Sequence, residues 1–201
     1  MKVLLYVTGA AMAAMTPVSL LALRAMRPAD EVHVVLSAAA HRFVTREACA
    51  MHAHRVSADD WDEMGSGRHV ELIRWPDAVV VYPATLNFVT RFSLGQADTP
   101  AMLAIQCTSA GVVIAPGLPP GGAESFAFRQ AVGRLEGNRR IELLPTMVAP
   151  SAALAEDVLG APAPFTDVVE ILNRMENRRD DSRTGIGHIQ PESCLPPLPP
   201  R

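Results

Sequence analysis

Three short turns and one isolated histidine hold the residues best equipped for chemistry. The most informative stretch is RHVELIRWPDAVVVYPATLNF, residues 68–88, which joins His69 to an apolar run and a Pro83-Ala84-Thr85-x-Asn87 turn. Histidine is the side chain whose ordinary titration lies nearest neutrality, so His69 is the candidate general acid/base. By itself, a lone histidine reads as structural or exposed. In this reading Pro83 ends the strand, Thr85 and Asn87 offer hydrogen bonds, and Leu86 and Phe88 offer apolar walls. The turn VTGAAMAA presents Gly9, Ala10 and Ala11, small residues that let backbone N–H groups approach a phosphate. The same residues permit close helix–sheet packing. They lack G-x-G-x-x-G, so a dinucleotide is not indicated. In the third turn, LSAAAHRF, Ser37 either donates to a phosphate or ring or caps a helix. Phe43 there either covers an aromatic ligand or joins the core.

The elements that must position these turns alternate between strand and helix. KVLLYV (2–7) and EVHVVL (31–36) read as strands. Between them a helix spans Thr16–Met26, with Thr16 as its cap, Pro17 in its first turn and Pro28 closing it. SAAAHRFVTREACA reads as a turn and helix, and Met51–Arg68 as a polar surface loop with one helical turn. Further strands are expected at Ala78–Val81, Gly111–Ala115 and Ile141–Leu144. Helices are expected at Leu86–Leu94, Pro100–Cys107, Glu124–Leu135 and Phe165–Met175. This order predicts an α/β fold, a three-layer αβα Rossmann-like (flavodoxin-like) open parallel sheet, as one domain over 1–175. Residues 176–201, charged and then proline-rich, are expected to form a disordered tail. In such sheets ligands bind beyond the carboxyl ends of the strands, where all three turns fall.

Composition excludes several classes. A net charge of −3 over 201 residues gives no basic nucleic-acid footprint. No apolar run is long enough to cross a bilayer, and MKVLLYVTGAAMAAM suits a first strand and turn better than a signal peptide. The expected location is cytoplasmic. Cys49, Cys107 and Cys194 are too widely spaced for a disulfide framework or a C-x-x-C metal site. Cys107 is expected to be a buried structural thiol. Asp59, Asp60, Asp62 and Glu63 lack calcium-loop spacing, so no metal is expected.

With those residues in place, HVELIRWPDAVVVYPATLNFVTRFSLGQADT resembles the central signature of the homo-oligomeric flavin-containing cysteine decarboxylases. In that family a histidine precedes an apolar strand, a Pro-Ala-Ser/Thr-Ala-Asn-Thr turn, a helix and a Gly-x-Ala-Asp element. Here these are His69, Pro83-Ala84-Thr85-x-Asn87 and Gly95-x-Ala97-Asp98. The resemblance spans about residues 2–116. It implies FMN held between subunits of a trimer, often with four trimers in a dodecamer. Gly9, Ala10, Ala11 and Ser37 would lie near the phosphate and ribityl chain. Pro83, Ala84, Thr85 and Asn87 would border the isoalloxazine, Phe43 would cover the ligand, and His69 would be the acid/base group.

The sequence departs from the family where Phe88 closes the turn and Leu86 replaces alanine. It also departs where Pro-x-Met-Asn-x-x-Met-Trp should follow GVVIAP, because the chain reads Pro116-Gly117-Leu118-Pro119-Pro120-Gly121-Gly122. The carboxylate-binding asparagine is missing. That glycine-rich loop either donates backbone N–H groups to an anion or is a simple connection. Gly117 and Pro119, with Asn87, are the substrate-side candidates. The later cysteine motif of phosphopantothenoylcysteine decarboxylases is absent as well. The implied substrate is therefore a precursor peptide ending in cysteine, converted to an enethiol on the way to aminovinyl-cysteine products of the lantibiotic, linaridin or thioamide type. Residues 145–160 are the candidate clamp over that peptide. The other enzymes this resemblance admits are phosphopantothenoylcysteine decarboxylase-like or flavin prenyltransferase-like, and the non-enzymatic alternative is an FMN-binding partner subunit.

Overall fold

In the computed structural model, residues 1–150, 154 and 156–184 are described. Six parallel strands form the central sheet: β1 (Lys2–Val7), β2 (Glu31–Leu36), β3 (Arg55–Ala58), β4 (Ala78–Ala84), β5 (Gly111–Pro116) and β6 (Ile141–Leu143). Their spatial order is β3-β2-β1-β4-β5-β6. This is a doubly wound order that reverses direction between β1 and β4, so the crevice at their carboxyl ends is the expected ligand position.

Alternation along the strands builds two cores. Val3, Leu5 and Val7 face one side with Leu20 and Leu23 of α1 (Thr16–Met26), Cys49 of α2 (Arg46–Ala50) and Val168 and Leu172 of α7 (Phe165–Thr184). Leu4 and Tyr6 face the other side with α3 (Trp61–Arg74), α4 (Leu86–Ser93), α5 (Pro100–Cys107) and α6 (Phe126–Leu135). A sheet covered on both faces explains why β4 is buried throughout its seven residues. The three-layer αβα expectation is met.

Several local expectations are corrected. The segment 51–68 is no loop, since it contains β3 and the start of α3. Its acidic run conceals a helix start: Asp60 caps α3 by accepting from Asp62 N at 2.7 Å, with Asp62 and Glu63 in the first turn, where the helix dipole favours carboxylates. Thr16 is the first helical residue rather than the cap, and its hydroxyl donates to Ala13 O at 2.7 Å. Pro83 does not end its strand, because β4 continues to Ala84 through a cis Tyr82–Pro83 bond. Cys107 is exposed, whereas Cys49 is buried and its thiol is pushed up to about 11 by desolvation. The helix expected to stop at Met175 runs to Thr184, with Glu176 paired to Arg27 and Arg179 to Asp77, so residues 176–184 are not tail. The remainder of the expected tail, with Cys194, lies outside the described residues. Within 145–160, β7 (Thr146–Pro150) and β8 (Asp157–Pro162) pair antiparallel. Residues 151–153 and 155 of the candidate clamp lie outside the described residues.

One buried polar pair gives the fold a pH signature. His33 on β2 is 3% exposed, within 2.8 Å of Ser57 Oγ and edge-on to Trp75. Desolvation, helped by the charge of Arg55, lowers its pKa to about 4. The unfolded chain therefore binds a proton at this position from about pH 6.5 downward while the folded chain resists it. Stability from this group is complete above pH 6.5 and is lost progressively between 6.5 and about 4. At ~1.4 kcal/mol per unit, the expected loss is on the order of 3 kcal/mol. Urea unfolding at pH 7 and pH 4 should show a smaller drop in His33→Gln than in the parent chain.

Candidate functional site

The switch point is held together by one side chain. Thr8, 3% exposed at the end of β1, donates from Oγ1 to Pro83 O at 2.7 Å and accepts from Thr85 N at 2.8 Å. Its own N–H also reaches Pro83 O, at 3.3 Å. These bonds cross from β1 to β4 where the sheet order reverses, so they fix the 8–11 and 83–87 turns relative to each other. The second turn joins from the β2 side: Ser37 N donates to Val7 O at 3.0 Å, and a Cβ built on Gly9 would lie 2.4 Å from Ala39 Cβ. The fourth loop closes from β5, with Gly117 N donating to Ala84 O at 2.8 Å. A Cβ on Gly117 would meet Pro83 Cβ at 3.0 Å and Ala10 Cβ at 3.5 Å. All three predicted turns thus converge on one edge, with a fourth loop beside them.

Each predicted residue has a definite place. Gly9 and Ala10 are half-buried and Ala11 is exposed at the start of a short 3-10 segment, Ala11–Met15. The smallness of Gly9 serves turn-to-turn packing, because Ala39 occupies the space a side chain would need. Gly9→Ala is therefore expected to part the first two turns and cost about 1–3 kcal/mol, with weaker retention of a ligand at that edge. Thermal denaturation and dialysis against buffer would read both effects.

Ser37 Oγ accepts from Ala40 N at 3.2 Å, the capping role, which leaves its hydroxyl proton available to a ligand. Phe43 is 42% exposed, so it is not core. Pro83 and Ala84 are buried, Thr85 caps α4 by accepting from Phe88 N at 3.2 Å, and Asn87 is exposed. Phe88 is no pocket wall: it is 4% exposed, stacked on Phe92 and edge-on to Tyr6. The residue that departs from the family turn has become core. Pro119 is exposed. The loop offers less to an anion than its glycines suggest, since Gly117, Leu118 and Gly122 donate to Ala84, Gly160 and Pro119 carbonyls, respectively.

His69 is held elsewhere. It lies eight residues into α3, in the helical layer rather than on a carboxyl-edge turn. Its half-buried ring meets the Trp61 indole edge-on at 5.7 Å. Trp61 Nε1 donates to Asp98 O at 3.0 Å, and the Asp98 carboxylate pairs with Arg91. Gly67, two residues before His69, has φ +105°, a backbone value that suits glycine and locally redirects the helix. The sheet edge anchors α3 through Asp59, which accepts from the Tyr6 hydroxyl at 2.7 Å and from Ala101 N at 2.8 Å. Burial, reinforced by the Asp59 charge, raises the Tyr6 pKa well above its ordinary value. Thr8, Trp61 and the Tyr6–Asp59 pair were missed from sequence. Thr8 alone carries a local signal, as the hydroxyl that ends an apolar strand just before a glycine.

Residues 1–176 match the family described as Flavoprotein. The chain belongs to the flavoprotein family. Its cofactor is a flavin, and the Ser37 hydroxyl, whose proton is available, and the partly open Gly9–Ala11 turn suit the polar end of such a group. Among the relatives of this flavoprotein is cypemycin cysteine dehydrogenase (decarboxylating) from Streptomyces sp, 36% identical over 121 residues, 57% of this chain and 62% of the relative. The bifunctional CoaBC of coenzyme A biosynthesis from Haemophilus influenzae is 35% identical over 48% of this chain and 25% of its own length. The chain therefore spans less than two thirds of these curated relatives.

Among solved structures, the cypemycin decarboxylase CypD superposes with a TM-score of 0.64 at 30% identity, covering 72% of this chain and 82% of that one. A PPC decarboxylase mutant complexed with pantothenoylaminoethenethiol reaches 0.76 at 18% identity, covering 88% and 98%, a likeness of fold. Among the described residues, no helix is long and apolar enough to cross a membrane.

Proposed function

We propose that this flavoprotein binds FMN at the β1/β4 switch point and oxidatively decarboxylates the C-terminal cysteine of a precursor peptide to an enethiol. The observation that carries the reading is the Thr8 tether, which gathers the turns at the edge where a doubly wound sheet takes its ligand. The relatives that act on cysteine supply the direction of the chemistry.

Bound flavin supplies a two-electron acceptor, so that a cysteine Cβ–S unit becomes a thioaldehyde able to take up the electrons left by departing carbon dioxide. Ser37 and the backbone N–H groups of Gly9 and Ala11 hold the phosphate and ribityl end, while that of Ala10 is turned to Thr8 O at 2.9 Å. Thr85 and Asn87 border the ring with Pro83 and Ala84. His69 takes the thiol proton. The site is completed by a neighbouring copy, in a trimer or an assembly of trimers, with His69 supplied from α3. With the family asparagine missing, Asn87 is left to receive the substrate carboxylate, since the N–H groups of Gly117, Leu118 and Gly122 are engaged within the fold and Pro119 has none.

A second reading, phosphopantothenoylcysteine as substrate, is favoured by the likeness to CoaBC. Incubating the FMN-loaded protein in air with each substrate separates them. The expected product is a peptide lighter by one carbon dioxide and two hydrogens, with phosphopantothenoylcysteine untouched. The reverse pattern would transfer the protein to coenzyme A chemistry.

A further inference from the structure

The molecule has a concave site that the proposed flavin reaction does not use. A cleft of about 760 Å³ opens at the foot of the sheet, between the amino ends of β4 and β5 and the far part of α7. It is one β4 length, roughly 20 Å, from the switch point. Five arginines line it: Arg74, Arg139, Arg140, Arg178 and Arg179. Its two acids are already engaged. Asp77 is bound by Arg179 at 2.8 Å and by Lys2 N at 2.9 Å, and Glu142 is paired with Arg174. Arg140 donates to Gln106 O at 3.3 Å. Arg74, Arg139 and Arg178 have no hydrogen-bond or ion-pair partner among the described residues.

Three guanidiniums from α3, the α6–β6 loop and α7, none paired among the described residues, therefore share one concavity on a chain whose net charge is −3. A structural clamp for α7 needs only the Arg179–Asp77 and Arg174–Glu142 pairs. The floor is apolar: Met175 lies over Gly111, where an added Cβ would come within 2.9 Å of Met175 Cε. Planar guanidiniums bind phosphate and carboxylate oxygens in pairs, and an open cleft of this volume can seat a small molecule.

We infer that the cleft bounded by Arg74, Arg139 and Arg178 binds a small phosphorylated ligand whose apolar portion rests on Met175. The inference is independent of the flavin reading, because the site lies at the opposite edge of the sheet.

The test is calorimetric titration of the FMN-loaded full chain with inorganic pyrophosphate, inorganic phosphate, citrate and a decaglutamate peptide. Arg74→Gln/Arg178→Gln serves as the comparison; neither residue makes a contact whose loss would unfold the protein. Saturable pyrophosphate binding, tighter than that of citrate and weakened at least tenfold in the double variant, is expected. Flavin absorbance and thermal midpoint should stay unchanged in that variant. No pyrophosphate binding, or binding equal in parent and variant, would overturn the inference. Tighter binding of decaglutamate than of pyrophosphate would overturn it in favour of an acidic peptide, and preference for citrate would overturn the phosphate assignment.

Discussion

Replacing His69 by Asn is expected to slow peptide decarboxylation by about 10²- to 10⁴-fold, the usual contribution of a positioned acid/base group. Flavin should remain bound, because His69 belongs to α3 and not to the turns that would hold the cofactor. The imidazole is steadied by the Trp61 edge, itself tied to Asp98 O. Asparagine keeps polarity and approximate size but cannot exchange a proton near neutrality. The check is a rate measurement at saturating peptide beside a flavin-content assay. A variant at the parent rate would remove His69 from the reaction. A variant that lost flavin would show the residue to be structural.

Thr8→Val should be the most damaging single-atom exchange at the flavin edge. Valine keeps the shape but deletes the donor to Pro83 O and the acceptor for Thr85 N. Pro83 O retains the Thr8 N–H at 3.3 Å, but Thr85 N loses the acceptor that Thr8 Oγ1 supplies. Leaving such a group unsatisfied costs about 1–3 kcal/mol, and the 83–87 turn keeps only the longer Thr8 N–H bond beside β1. The expected result is a lowered urea midpoint together with flavin that dialyses away. Thr8→Ser, which restores both bonds, should behave as the parent chain. Retained flavin in Thr8→Val would mean that the tether is not what shapes the site.

Elements with a strong periodic signal were legible from sequence. β2 and α5 have the expected ends, and α1 has the expected span, because apolar alternation and a proline in the first helical turn report local physics. Residues 51–68 were not legible, since the glycines and acids that suggest a loop are there a mid-helix glycine and an N-cap. α7 outran its apolar pattern because its last turns are held by charge: Arg27 to Glu176 and Arg179 to Asp77 are long-range pairs that no window reveals. The three turns could be named in sequence but not joined: the Thr8 hydroxyl that ties the first to the 83–87 turn acts across 75 residues, and the LSAAAHRF turn joins them through Ser37 N to Val7 O. Phe88 was misread for the same reason. Its partner Tyr6 belongs to a strand far away in sequence, so its place in the core becomes visible only in the fold.

The central claim is that electrons leaving the cysteine enter the flavin as carbon dioxide departs. Anaerobic mixing of the FMN-loaded protein with one equivalent of a cysteine-ended peptide tests it, with flavin absorbance and peptide mass followed together. The account predicts bleaching of the oxidised flavin in step with a peptide lighter by carbon dioxide and two hydrogens. Decarboxylation without bleaching, or an oxidised flavin beside an unchanged peptide, would contradict it.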